Sequence, residues 1–228
     1  MSVETAAGVV LIAAPLWFNV NFALLGKRFD YPEILRRPTG EILERFRAGG
    51  SGLILLWWTF MLSGLLLIAG AVLLGQSLGF TGIAPLATVI GVLAGLVQML
   101  GLVRWVYVVP SLARSYADPT LGPEQRAADA VVFRALHQYL GVGVGEHLGY
   151  LFTGIWSVLI GVCVIQGTAL PTWLGWPGVV IGAGLMVGSA EFLGPNEERG
   201  WTLAGAAIPV LFIAWSLWLL ALGIALIA

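Results

Sequence analysis

Four ionisable residues lie at matching depths in three long apolar runs of the sequence. About 20 residues, the length of helix that crosses a ~30 Å hydrocarbon core, lead from the uncharged end of the run beginning at Ile83 to Arg104. The same count leads to Glu146 and His147 in the next run and to Glu191 in the one after it. Ionisable residues inside a membrane normally face the interior of the bundle and pair with one another. We therefore expect these side chains to form one polar cluster near one edge of the hydrocarbon.

The residue types of this cluster suit the binding of a ligand. Arg104 would be a fixed cation that holds a carboxylate or phosphate group. Glu146 and Glu191 would pair with Arg104, bind a metal or carry a proton. His147 would ligate a divalent metal or a haem, or carry a proton, which makes His147 and Glu146 the candidate metal ligands. The alternative is a structural network of ion pairs between helices, and the sequence leaves both interpretations open.

Three uncharged polar residues extend the candidate site. Tyr150 lies one helical turn from Glu146, on the same face, where it could hydrogen-bond to a ligand. Asn19 and Asn21 lie a turn or two deeper, in the first apolar run. The predicted ligand-binding set is therefore Arg104, Glu146, His147, Tyr150, Glu191, Asn19 and Asn21.

Other residues limit the chemistry that this site could perform. Periodicity places His137 with Arg134 on the polar face of a helix, so we expect His137 to be exposed. About ten helical residues separate His137 from His147 by about 15 Å, so a haem held by both requires the chain to fold back between them. The single cysteine, Cys163, excludes a disulfide framework, a multi-thiolate zinc site and a cysteine-ligated iron–sulfur cluster. The motifs HExxH and Walker A do not occur in the sequence.

The scarcity of charge identifies the class of protein. The 228 residues include 11 Lys and Arg and 12 Asp and Glu, so 10% are charged and 59% are hydrophobic. A soluble domain averages about 25% charged residues. This composition excludes a soluble enzyme and a disordered regulator, and the net charge of −1 excludes a nucleic-acid partner. A polytopic membrane protein remains.

Six apolar runs predict an all-α transmembrane bundle within a single domain, residues 1–228. Each run reaches the roughly 20 residues that cross a bilayer, and backbone groups in lipid must be satisfied within a helix. We expect the spans at 6–26, 53–74, 83–107, 145–166, 173–193 and 203–227. Amphipathic cytoplasmic helices are expected at 39–47 and 124–140, with a bend in the glycine-rich stretch 141–145.

The basic residues predict the orientation of the bundle. All 11 lie at or in the connections between spans 1 and 2, 3 and 4, and 5 and 6, whereas the loops 75–82 and 166–172 carry no charge. Cytoplasmic loops are enriched in Lys and Arg. We therefore expect the three charged connections in the cytoplasm and both termini outside.

Four stretches of the chain resemble a family of bacterial integral membrane proteins that is catalogued only as a domain of unknown function. They read DYPEILRRPTGEILERF, LGLVRWVYVVPSLARSYADP, LHQYLGVGVGEHLGYLFTGIW and IPVLFIAWSLWLLALGI. The most specific parts are the pair Arg104-Trp105, VPSLAR at 109–114 and GEHLGY at 145–150. The resemblance implies a bacterial six-helix membrane protein, which we therefore expect in the inner (cytoplasmic) membrane. It supplies no activity, cofactor or functional residue.

Three functions are compatible with these patterns. A non-catalytic accessory or ligand-binding subunit, which holds a lipid, a quinone or a partner membrane protein, is favoured because neither HExxH nor a Walker motif is found. A small proton-coupled transporter would use Glu146, His147 and Glu191. A redox subunit would hold haem or a metal at His147. The expected partners are membrane lipids and other membrane-protein subunits.

Overall fold

The computed structural model describes residues 1–228, apart from the side chain of Glu198. Its described residues form helices and no strands. Six helical segments are long and apolar enough to cross a membrane, which confirms the predicted all-α fold class. They are Val3–Phe29, Thr39–Ser77, Ala84–Tyr116, Pro123–Ile165, Thr172–Phe192 and Thr202–Ile227.

Several of these segments contain more than one helix. The helices are α1 (Val3–Phe29), α2 (Thr39–Ser77), α3 (Ala84–Tyr107), α4 (Val109–Tyr116), α5 (Pro123–Leu136), α6 (Gly149–Ile165), α7 (Gly175–Gly188), α8 (Pro195–Arg199) and α9 (Thr202–Ile227). A π-helix, His137–Leu148, joins α5 to α6, and 3-10 turns lie at Glu33–Arg36, Thr172–Leu174 and Ser189–Phe192. The glycine-rich stretch that we expected to bend therefore lies within the π-helix.

The connection before the second span folds onto the protein. Gly50 has φ 57° and ψ −155°, which separates a short amphipathic part of α2 from its long apolar part. The side chains of Ile42, Leu43 and Phe46, which form the apolar stripe of the short part, are buried in the protein. Burial of apolar area drives this docking.

Two groups of buried side chains fill the bundle. We call the end that carries the connections 30–38, 117–122 and 189–201 the charged end. The aromatic cluster lies there and consists of Leu25, Phe29, Ile34, Ile42, Leu43, Phe46, Leu53, Leu56, Trp57, Phe60, Trp105, Val109, Ala113 and Phe133. The second cluster lies mostly towards the opposite end and includes Leu11, Ala71, Leu74, Trp156, Ile160, Trp218, Leu219 and Leu222. Members of both clusters, Phe60 and Ile208, line a cavity, and the candidate site lies in this cavity.

Candidate functional site

A close crossing of two backbones creates the site. Gly101 of α3 and Gly145 of the π-helix lie so near each other that a Cβ atom on Gly145 would be 2.9 Å from the Cα atom of Gly101. Only glycine allows this approach, as small residues do where helices cross in lipid. The crossing places Arg104, one turn after Gly101, and Glu146, next to Gly145, on the wall of the same cavity.

The cavity has a volume of about 390 Å³ and walls of two kinds. Its polar wall consists of Asn19, Tyr31, Gln98, Arg104, Glu146 and Tyr150. Its apolar wall comes mainly from α1, α2 and α9 and includes Phe18, Phe22, Phe60, Ile208, Pro209, Phe212 and Ile213. The cavity is therefore amphiphilic, with the charged groups on α3 and the π-helix and the aromatic rings facing them.

Arg104 is a buried cation that lacks an anionic partner. Its side chain is only 4% exposed. One terminal nitrogen donates to the carbonyl of Gly101, and the other lies 3.2 Å from Nδ1 of His137. Its Nε has no hydrogen-bond partner. Within the described part of the chain, ion pairs of 4.0 Å or less join other residues, and none includes Arg104. Desolvation of an unpaired charge is costly, so this guanidinium is suited to receive an anion.

The surroundings of Arg104 hold the guanidinium in place. A Cβ atom on Gly141 would lie 2.5 Å from a terminal nitrogen of Arg104, so a larger residue there would displace the guanidinium. The guanidinium carbon lies 5.2 Å from the centre of the Trp105 ring, within the range of a cation–π interaction. Trp105 in turn stacks on Trp57 with ring centres 4.6 Å apart. The aromatic cluster therefore supports the charged wall of the cavity.

Four of the seven predicted ligand-binding residues line the cavity. They are Asn19, Arg104, Glu146 and Tyr150. Asn19 also donates to the carbonyl of Pro15 at 2.7 Å and to Oγ of Ser216 at 3.0 Å, which fixes its amide between α1 and α9.

The other three predicted residues face elsewhere. Asn21 donates to the carbonyl of Trp17 at 2.8 Å and accepts from Thr59 at 2.7 Å. Nδ1 of His147 donates to the carbonyl of Ser189 at 2.9 Å, and Glu191 lies in the 3-10 turn after α7. None of the three is among the residues that line the cavity. A similar position along the spans does not fix the direction of a side chain: successive residues of a helix point about 100° apart, and His147 directly follows Glu146.

The prediction that His137 is exposed was wrong. Its helix turns a different face towards the protein, and His137 lies on that face. Asp129 and Phe133 are buried, His137 is partly buried, and Val131 and Val132 are exposed. Spacing of four residues places the first three on one face. The His137 ring stacks on Phe133 with centres 5.8 Å apart and contacts Arg104. The apolar residues Val131, Val132 and Tyr139 therefore lie on the outer face of this segment.

Two polar residues of the cavity, Gln98 and Tyr31, were missed by sequence reasoning. Gln98 donates to Oγ1 of Thr153 at 3.1 Å, and an amide inside an apolar run was the signal that could have found it. Tyr31 comes from the connection after α1 and packs edge-on against Trp57 and Phe22, with ring centres 5.1 and 5.5 Å apart. Burial raises the pKa of the Tyr31 phenol, so its hydroxyl stays protonated and can donate a hydrogen bond into the cavity.

Ion pairs hold the connection that carries Tyr31. The carboxylate of Asp30 lies 2.5 Å from a terminal nitrogen of Arg37 and 3.5 Å from one of Arg45. Asp30 itself has φ 61°, the left-handed conformation that ends α1. The chain therefore reverses at Asp30 and places the next residue, Tyr31, against the cavity.

The cavity borders the outer surface of the bundle between α1 and α9. Phe22 of α1 is 38% exposed and Ile213 of α9 is 59% exposed, and both line the cavity. Pro209 interrupts the hydrogen bonds of α9 at the same level, since it has no backbone N–H to donate. The cavity is thus accessible from the side that lipid covers.

The structure offers limited support for a metal. Within the described residues, no group of three or more His, Cys, Asp and Glu side chains is placed to hold a metal ion. Of the two candidate ligands, Glu146 lines the cavity and His147 binds Ser189 outside it. A haem or metal at His147 stays a prediction.

Comparison with known proteins identifies the family. The chain belongs to the family described as Domain of unknown function (DUF4386), whose model matches residues 6–223. No curated protein matches the chain. No solved structure matches it either.

Proposed function

We propose that this integral membrane protein is a non-catalytic binding or accessory subunit that holds a small amphiphilic molecule, a lipid or a lipid-like compound. The observation that carries the proposal is the amphiphilic cavity between α1, α3, α9 and the π-helix. A molecule with a polar head and an apolar body matches its two walls. The cavity volume of about 390 Å³ lies within the range of about 300–1,000 Å³ that small-molecule sites occupy.

The position of the cavity also supports a ligand from the bilayer. Its exposed rim residues, Phe22 and Ile213, are apolar side chains on two membrane-spanning helices. An apolar molecule could enter between these helices without crossing water. The charged wall lies towards the charged end, so a lipid could place its head group on that wall and its acyl chains against the apolar wall.

The proposed location is a bacterial inner membrane, with the charged end in the cytoplasm and both termini outside. The distribution of Lys and Arg supports this orientation. It is tested by single cysteines at Thr81 and Thr120, which are exposed at opposite ends, in a protein whose own Cys163 is replaced by serine. An impermeant maleimide applied to spheroplasts should label T81C only, and labelling of T120C instead would reverse the orientation.

Blocking the rim of the cavity tests the binding function. Ile213→Trp adds a large side chain at the rim, and Val210→Trp adds the same side chain nearby on α9, where Val210 is 64% exposed and does not line the cavity. We expect purified wild type and V210W to retain a stoichiometric lipid in native mass spectrometry, and I213W to lose most of it. Equal lipid content in all three proteins would contradict the proposal.

The two other functions remain predictions. The proton-coupled transporter assigns roles to Glu146, His147 and Glu191, but only Glu146 lines the cavity. The redox subunit assigns a ligand role to His147, whose Nδ1 already donates to Ser189. Neither arrangement is as well supported by the geometry as the binding of an amphiphile.

A further inference from the structure

We infer that the polar head of the ligand is zwitterionic, with its anionic group on Arg104 and its cationic group on Glu146. This inference rests on the proposed function and specifies the chemical class of the ligand. It follows from the presence of two opposite charges on one wall of the cavity that do not contact each other.

First, the charge of Arg104 is not balanced by an anion in the described part of the protein. The guanidinium is buried, faces the cavity, and has an unpartnered Nε. Its two hydrogen-bond partners, the Gly101 carbonyl and His137, are uncharged or weakly basic groups that do not balance its charge. A phosphate or carboxylate accepts two parallel hydrogen bonds from a guanidinium, and this bonding would satisfy Nε and one terminal nitrogen together.

The second step is the position of Glu146. Its carboxylate lines the same cavity, yet it forms no ion pair of 4.0 Å or less and no side-chain hydrogen bond with any residue in the described part of the chain. The crossing at Gly101 and Gly145 fixes both backbones. Arg104 and Glu146 are therefore neighbours on one wall, and a gap remains between their charged atoms.

The third step compares the possible head groups. A purely anionic head would satisfy Arg104 but would add a negative charge beside Glu146. A purely cationic head would have the reverse effect. A zwitterion satisfies both groups, and the rings of Phe22 and Phe60 on the facing wall suit a cationic group that is partly desolvated.

The ligand side of the inference can be tested without changing the protein. Purified wild-type protein is titrated with three lipids that have identical acyl chains and differ in the head: phosphoethanolamine, phosphoglycerol and a trimethylammonium propane. Bound lipid is measured by native mass spectrometry, and cavity binding is defined as the part that I213W loses. We expect the zwitterionic lipid to bind about tenfold or more tightly than either of the others, a difference of about 1.4 kcal/mol. A preference for the anionic lipid, or no preference, would overturn the inference.

Two sources of zwitterion are distinguished by a fourth probe, glycerophosphoethanolamine, which has the same head and no acyl chains. Competition by this soluble compound at similar concentrations would show that the acyl chains contribute little and that the ligand is a small zwitterion. We expect the diacyl lipid to bind far more tightly, because the apolar wall contributes through burial of apolar area. Either result keeps the zwitterionic head, whereas displacement by glycerol phosphate alone would overturn it.

Variants that remove one charge show whether each charge strengthens or weakens binding of the lipid. Arg104→Gln and Glu146→Gln should each weaken binding of the zwitterionic lipid about tenfold or more. The matched controls Arg114→Gln and Glu44→Gln, at exposed positions, should leave it unchanged. If the head were anionic only, E146Q would strengthen binding instead, and this result would overturn the inference. If the glutamine variants at Arg104 and Glu146 fail to fold, the titration of wild-type protein with the three lipids tests the zwitterionic head by itself. Failure of the proposed function is distinct, since then no lipid would show binding that I213W removes.

Discussion

Helices α1 and α9 contact each other very differently at their two ends. Towards the opposite end from the charged connections, Gly8 and Gly223 meet so closely that a Cβ atom on Gly223 would lie 2.7 Å from the Gly8 carbonyl. Towards the charged end, the same helices present Phe22 and Ile213 to a cavity. Asn19 and Ser216 form a hydrogen bond between these two regions.

The two ends of the α1–α9 pair have different tasks. Within a membrane, little hydrophobic driving force holds helices together, so close contact at one end must stabilise the pair while the other end holds the site. Association in lipid depends on close packing and on interhelical hydrogen bonds. The glycine contact supplies the close packing, and the asparagine supplies a hydrogen bond at the boundary. Beyond Asn19, the two helices place Phe22, Pro209 and Ile213 at the cavity, so their backbones do not have to approach closely there. One end of the helix pair therefore provides stability, and the other end is free to hold a ligand.

The largest effect is expected from adding one methyl group at the packed end. Gly223→Ala places a Cβ atom against the Gly8 carbonyl and Ile12, and overpacking of this kind costs about 1–3 kcal/mol. Gly205→Ala is the matched control on the same helix, because its Cβ atom would be 3.8 Å from the nearest atom, an oxygen of Glu191. Thermal unfolding in detergent should show a clear loss for G223A and none for G205A. Equal melting temperatures would mean that the two ends do not differ in packing.

A smaller effect is expected at the boundary between the two regions. Asn19→Ala and Ser216→Ala remove the two partners of the 3.0 Å hydrogen bond. A double-mutant cycle isolates their interaction, which for side-chain hydrogen bonds in a membrane averages about 0.6 kcal/mol and reaches about 1.7 kcal/mol. The pair Asn21 and Thr59, joined at 2.7 Å between α1 and α2, supplies a parallel cycle far from the α9 contact. A coupling energy near zero for Asn19 and Ser216 would mean that their hydrogen bond does not stabilise the boundary between the packed end and the cavity end.

The sequence predicted the spans better than it predicted the cavity. Apolar runs identify membrane helices directly, because an unsatisfied backbone in lipid is excluded, and six such helices are present. The depth argument placed Arg104 and Glu146 together correctly, but it could not separate Asn19 from Asn21. Depth along a span is one coordinate, and the rotation of each helix about its axis is another, which depends on packing against neighbours.

The same limit explains the residues that changed role. His137 contacts Arg104 because the inward face of α5 carries Asp129 and Phe133. The apolar residues Val131 and Val132 of that helix are exposed instead, since the side of a helix that faces lipid is also apolar. Tyr31 comes from a connection, where hydrophobic periodicity gives no information. Its position depends on the ion pairs of Asp30.

The smallest effect is expected from those ion pairs at the cavity end. Asp30→Asn removes the charge that pairs with Arg37 and Arg45, and asparagine retains the left-handed conformation of φ 61°. The side chains of Asp30 and Arg37 are 38% and 40% exposed, and exposed pairs contribute only about 0.2–1 kcal/mol. Glu33→Gln is the matched control, at an exposed residue of the same connection that lies outside these pairs. Unfolding at low salt should show a small loss of stability for D30N and none for E33Q. The loss should shrink at high salt because salt screens exposed charges.

Hydrogen exchange in D30N should also rise around Tyr31 and stay unchanged near Gly8 and Gly223, since the two ends of the α1–α9 pair are stabilised by different contacts. A loss of protection at both ends would show that they form one cooperative unit and would end the distinction between them.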